Sequence, residues 1–229
     1  PAPAPSPPVR WTASAVRWGC AEQPLSLAAA PRASHAPGAM SAPSPVPLGL
    51  RKSFGFGDRL GLATPGHLAA ARKFDFAPIF AQQSIREMER TRRTPQAVME
   101  AARAALDQAG YTAPWGADAD HLKTPADVDR TLAAGFCLFT IDPSAFVVND
   151  ADRMEPAALR TAADALVRDG VFEDAGWTAR YLGRSFDLGT GAPRAFDEEP
   201  LLRAAVKYAR AIAHCDSMAR HIAAVHGQR

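Results

Sequence analysis

From residue 53 onward, short runs of apolar and small residues alternate with longer segments in which apolar positions recur at helical spacing. The punctuation between them is regular. Thr64-Pro65, Thr94-Pro95 and Thr124-Pro125 each set a hydroxyl able to cap a helix before a proline at the first helical position, where its missing N–H costs nothing. These pairs fall 30 residues apart. Ahead of them lie strand candidates at residues 53–57, 77–82 and 115–119, and residues 136–141 form a fourth, more apolar one. Strand followed by helix, repeated, predicts parallel β/α units.

The helical segments carry their own stop signals. Residues 95–109 gather alanine and leucine on one face and end at Gly110, and residues 156–168 end likewise at Gly170. Residues 171–200 mix glycine, aromatic and acidic residues without period and read as a connecting loop, with Gly183, Gly189 and Gly191 at turns. A long helix is expected over residues 198–225, its core-facing stripe formed by Leu202, Val206, Ala209, Ile212 and Ala213. The fold class is therefore α/β, with parallel β/α units over residues 51–229 that suit an incomplete TIM-like barrel. Four such strands also suit a small open sheet, and periodicity does not separate the two.

Residues 1–50 are rich in Pro, Ala and Ser, poor in acids and without period, so a disordered leader is expected there. The first methionine is Met40, which suggests translation starting at or near it.

Composition narrows the function classes. In 229 residues, 47% are hydrophobic and 22% charged, ordinary values for a globular protein able to bury a core. Net charge is only +2 and the basic residues are scattered among acids, which argues against a nucleic-acid or membrane-surface partner and for a small molecule. Cys20, Cys137 and Cys215 are odd in number and far apart, giving neither a disulfide framework nor a structural zinc site; a reducing cytoplasm is the expected compartment. The longest strongly apolar run, residues 136–141, is far short of the roughly 18 to 20 residues that span a bilayer.

The densest chemistry lies in Trp-Gly-Ala-Asp-Ala-Asp-His-Leu-Lys-Thr, residues 115–124. Carboxylate and imidazole bind divalent metals and move protons near neutral pH, so adjacent Asp120 and His121 at a strand tip could serve either task, or simply cap a turn. Gln82, Gln83 and Ser84 close the second strand and suit hydrogen bonding to a polyhydroxylated ligand, and Asp142 closes the fourth in the same way. In a parallel β/α array such strand ends gather on one face, where ligands bind. Ser-Phe-Gly-Phe-Gly-Asp-Arg-Leu-Gly, residues 53–61, could bring backbone close to a ligand with Asp58 and Arg59 at its tip, but it lacks the Gly-x-Gly-x-x-Gly spacing of a dinucleotide fold. His67 is a weaker metal candidate, and His214, His221 and His226 are expected to be solvated.

Together, Ser-Phe-Gly-Phe-Gly-Asp-Arg-Leu-Gly-Leu-Ala-Thr-Pro-Gly-His, Pro-Ile-Phe-Ala-Gln-Gln-Ser-Ile-Arg-Glu-Met-Glu-Arg-Thr and the block at 115–124 resemble the bacterial tagaturonate/fructuronate epimerase family, over about residues 53–229. The resemblance implies a barrel-like β/α fold, a divalent metal cation, and interconversion of the keto sugar acids D-tagaturonate and D-fructuronate. It further implies Asp120 as proton acceptor and His121 as a metal ligand, with the proton donor and other ligands beyond Arg229; substrate-binding residues stay unassigned. On that reading the chain is the N-terminal part of the enzyme. Taken alone it is expected to lack turnover and to associate, and a homo-oligomer could in principle close the barrel. The alternatives are another metal-dependent sugar isomerase or aldolase, or a non-catalytic fragment.

Overall fold

A computed structural model describes residues 41–187, 189, 191 and 193–226. The leader expected before residue 41, and the start near Met40, lie outside the described residues. Within them the chain divides between Ile141 and Asp142 into two compact units.

The first unit holds four parallel strands in chain order: β1 (Ser53–Gly57), β2 (Ala77–Ser84), β3 (Gly116–Leu122) and β4 (Leu138–Ile141). Between them run α1 (Thr64–Ala71), then α2 (Ile85–Thr91) and α3 (Pro95–Gln108), then α4 (Pro125–Ala133). The predicted β/α repetition is therefore present. Sequential order without reversal suits an arc of a barrel and a small open sheet alike. β1 and β4 are the sheet's edges.

Two of the three expected caps form. Thr94 Oγ1 accepts from Ala97 N at 3.1 Å, and Thr124 Oγ1 from Asp127 N at 3.2 Å, with Asp127 Oδ2 accepting in return from Thr124 N. Thr64 departs from the expectation: it is the first residue of α1, and the cap position falls to Ala63, whose N–H donates to Asp58. The helix α2 had no signal of its own beyond Ser84, which with Glu87 makes a reciprocal capping box.

On α3, Val98, Met99, Ala102 and Leu106 are buried at 3- and 4-residue spacing, and the helix packs on β2 and α1. Phe80 of β2 meets Trp115 and Tyr111 with ring centres 6.2 and 6.0 Å apart. Each such side chain removed from water contributes about 1.5–3 kcal/mol before entropy is charged against it. Residues 41–48, read with the leader from sequence, pack onto this unit: Val46 N donates to Trp115 O, Trp115 Nε1 donates to Pro43 O, and Leu48 is buried. Leu48 owes its seat to Gly116, where a Cβ would stand 2.9 Å from Leu138, 3.2 Å from Leu48 and 3.3 Å from Ile79.

In the second unit α5 (Pro156–Arg168) packs against α6 (Glu198–His226), burying Leu159, Ala163, Leu166, Leu202, Val206 and Ala209. Trp177 joins this core and stacks on Phe172 at 4.4 Å. Residues 171–200 contain a short 3-10 helix and a two-stranded antiparallel pair, β5 (Ser185–Phe186) with β6 (Arg194–Ala195), and Gly183, Gly189 and Gly191 have the expected positive φ. Two readings of α6 need correction. Ile212 is 47% exposed rather than core-facing, and the His214 ring is not simply solvated, because it stacks on Phe146 at 4.3 Å.

Candidate active site on the bulged strand ends

Successive side chains of a strand point to opposite faces, so Gly116, Asp118 and Asp120 share one face of β3. Ala117 and Ala119 occupy the other and are fully buried. On the Gly116 level the first face is apolar, formed by Leu48, Ile79 and Leu138. Further along the strands it turns polar, and this change of character toward the C-terminal ends marks the site.

Two bulges set its geometry. Pairing runs from Phe80↔Ala117 to Gln83↔Ala119, so β2 carries one residue more than β3 over that interval, and Ala81 sits there in the left-handed region at φ 54°. The extra residue reverses the alternation. Gln82 thereby reaches the face of Asp118, and its Nε2 donates to Asp118 Oδ2 at 2.9 Å, while Gln83 is buried and donates to the Arg59 carbonyl at 2.7 Å. The second bulge lies between Ala119↔Phe139 and Leu122↔Ile141, with His121 at φ 56°. A left-handed conformation at a non-glycine residue costs on the order of 1–2 kcal/mol and recurs at functional sites. Here it keeps Leu122 buried and brings the His121 ring beside Asp120, Nδ1 to Oδ2 at 2.6 Å.

β3 thus extends through the residues read from sequence as the strand tip, and Asp120 and His121 belong to the strand itself. A carboxylate oxygen accepts, so Nδ1–H is the donor in their bond. The imidazole is left with Nε2 free to act as an acceptor or ligand on a side chain 58% exposed.

Asp118, passed over in the sequence reading, is the buried member of the group at 6% exposure. It accepts from Gln82 and, with both oxygens, from Thr140 Oγ1 at 3.0 and 3.1 Å. Burial pushes its carboxyl above the usual range; the Asp120 charge adds to this, and the hydrogen bonds from Thr140 and Gln82 and the nearby His121 oppose it. Strict alternation from Asp120 would have pointed to Asp118. For Thr140 the signal was a hydroxyl inside an otherwise apolar strand.

Other candidates have structural roles. Asp58 is buried and accepts from the backbone N–H groups of Leu60, Gly61 and Ala63, which ties the β1–α1 loop together. Arg59 is 84% exposed beside Glu87, with Nε 3.3 Å from Oε1. Ser84 caps α2, and His67 stacks on Phe56 at 4.9 Å. Asp142 opens the second unit, where it accepts from Ser144 N at 2.9 Å. Among the described residues no three His, Cys, Asp or Glu side chains converge as a metal site, and no helix is long and apolar enough to cross a membrane.

The sequence profile of the tagaturonate epimerase family matches residues 38–228. The tagaturonate/fructuronate epimerase of Thermotoga maritima is 42% identical over 174 residues, which cover 76% of this chain and 35% of that protein. Among solved structures, the native crystal structure of the fructuronate-tagaturonate epimerase from Cohnella laeviribosi matches with a TM-score of 0.68 at 35% identity, covering 76% of this chain and 35% of that one. A glycerol complex of the Cohnella enzyme matches with a TM-score of 0.66 at 36% identity over 74% of this chain. This chain therefore spans about a third of the length of the relatives it matches. With the profile running through both units, the chain belongs to the tagaturonate epimerase family.

Proposed function

We propose that this chain supplies the Asp120–His121 part of a cytoplasmic, metal-dependent active site that interconverts D-tagaturonate and D-fructuronate, within a β/α barrel of which β1 to β4 are one arc. Family membership supports the substrate pair, and the observation that carries the site is the bulge that turns adjacent Asp120 and His121 onto one another at 2.6 Å.

The imidazole fits a divalent cation. A ligating histidine ordinarily donates its other ring N–H to a carboxylate, which fixes the tautomer and leaves one nitrogen for the metal, and Asp120 stands in that relation to His121. His121 Nε2 would be this chain's ligand, with others from outside the described residues. Once bound, the cation would supply positive charge to polarise the substrate carbonyl.

The inverted carbon is β to the ketone, so enolisation does not reach its hydrogen. A retro-aldol route does. Asp120, through Oδ1, takes the proton of the hydroxyl on that carbon; the bond between it and the α-carbon breaks, giving an aldehyde and an enediolate. The aldehyde turns its other face, the bond re-forms, and Asp120 returns the proton, so the two isomers have the same composition. Gln82 and Asp118 border this carboxylate on the same face.

The test is an assay of the protein at its native length with D-tagaturonate, following fructuronate formation and trapping three-carbon products. Fructuronate together with trapped aldehyde supports the reading. Solvent deuterium appearing at the inverted carbon would point to direct deprotonation instead, and turnover of other keto sugars but not tagaturonate would favour a related isomerase or aldolase.

A further inference from the structure

We propose that Gln82 is the residue of this site that reads a substrate hydroxyl, and that Asp118 and Thr140 are positioning residues that fix the direction of its amide. The epimerase reading enters only in naming the ligand. A glutamine amide presents a donor end and an acceptor end, and a free one reverses at little cost. Here it cannot reverse: Nε2 donates to Asp118, and the turned amide would set its carbonyl oxygen against a carboxylate. Asp118 is itself held, since both its oxygens accept from Thr140 Oγ1.

The acceptor end is equally constrained. A Cβ on residue 55 would stand 2.7 Å from Gln82 Oε1, so the amide carbonyl occupies room that Gly55 leaves. Gly55, Asp118 and Thr140, from the three other strands, thus specify one orientation of the Gln82 side chain. Gln82 is half-buried while Asp118 is shielded, so the amide, and not the carboxylate beneath it, is placed to meet a ligand. A sugar hydroxyl both donates and accepts, and the amide offers Oε1 and the second Nε2 hydrogen to match it. Being neutral, it does so without adding charge beside Asp118 and Asp120.

The experiment uses the native-length protein. Gln82→Met keeps length and removes the amide; the KM for tagaturonate should rise about tenfold, the worth of one neutral hydrogen bond, with kcat within a factor of a few. Thr140→Val should raise KM in the same direction and Thr140→Ser should restore it, a pattern that mere loss of stability would not produce. In parallel, the Gln82 side-chain amide resonance in labelled protein should move when tagaturonate is added. Should the wild type fail to convert tagaturonate, the epimerase reading falls while Gln82 is judged on the same resonance with D-glucuronate and sorbitol: movement supports the proposal. An unchanged KM in Gln82→Met, or a resonance unmoved by every one of these probes, overturns it.

Discussion

His121 Nδ1 lies 2.6 Å from Oδ2 of Asp120, the residue before it, in a strand where neighbours normally face apart. The left-handed backbone at His121 makes this possible, and it leaves Nε2 as the nitrogen available to a cation. In the native-length protein His121→Ala should therefore lower divalent metal affinity, by about 10-fold or more for one lost ligand. Elemental analysis and metal titration check this. Unchanged stoichiometry and affinity would return His121 to a structural role.

Asp120→Asn preserves shape and can still accept from Nδ1, but an amide takes no proton. Folding and metal content should persist, while turnover drops on the order of 100-fold or more. Circular dichroism, metal content and kcat measured on one preparation decide the matter. Activity within a factor of a few of wild type would exclude Asp120 as the base.

Asp118 gives a pH signature. Burial holds its folded-state pKa above the unfolded one, so the folded form binds the extra proton in the interval between them. Its contribution to stability is complete below the ordinary carboxylate range and is lost as pH rises through the raised value. Asn lacks this titration, so the stability of Asp118→Asn relative to wild type should improve as pH rises from the ordinary carboxylate range through the raised value. Urea midpoints across that range check the sign. A constant difference would contradict it.

Asp58 serves as the control. Its carboxylate accepts three backbone N–H groups in the loop leading to α1, and Asp58→Ala leaves them without that acceptor. The expected cost is about 1–3 kcal/mol in unfolding free energy, with the metal affinity of the folded fraction unchanged. A loss of metal affinity larger than the loss of folded protein would make Asp58 part of the site.

Much of this architecture was legible because its determinants are local. Thr94 and Thr124 announce their helices by cap chemistry, and the alternation of short apolar runs with helical period yields four parallel strands at nearly the right places. Thr64 misled because a competing acceptor, Asp58, reaches the same helix start from within the loop. The bulges at Ala81 and His121 were invisible, since residues other than glycine seldom take a left-handed backbone and only the register of neighbouring strands reveals the extra residue. For the same reason Asp120 and His121 could be named from their chemistry, while the Gln82–Asp118–Thr140 chain could not. Asp118 joins side chains from two strands that lie far away in sequence. The 3-10 helix and hairpin within residues 171–200 had no period to betray them.

The proposed metal-dependent epimerase site of Asp120 and His121 is put to the test most directly by the carbon NMR spectrum of tagaturonate incubated with the native-length protein. Fructuronate resonances should grow toward a fixed ratio, stop when a chelator is added, and resume when a divalent metal is restored. A spectrum that remains that of tagaturonate alone, or conversion indifferent to the chelator, would contradict the account.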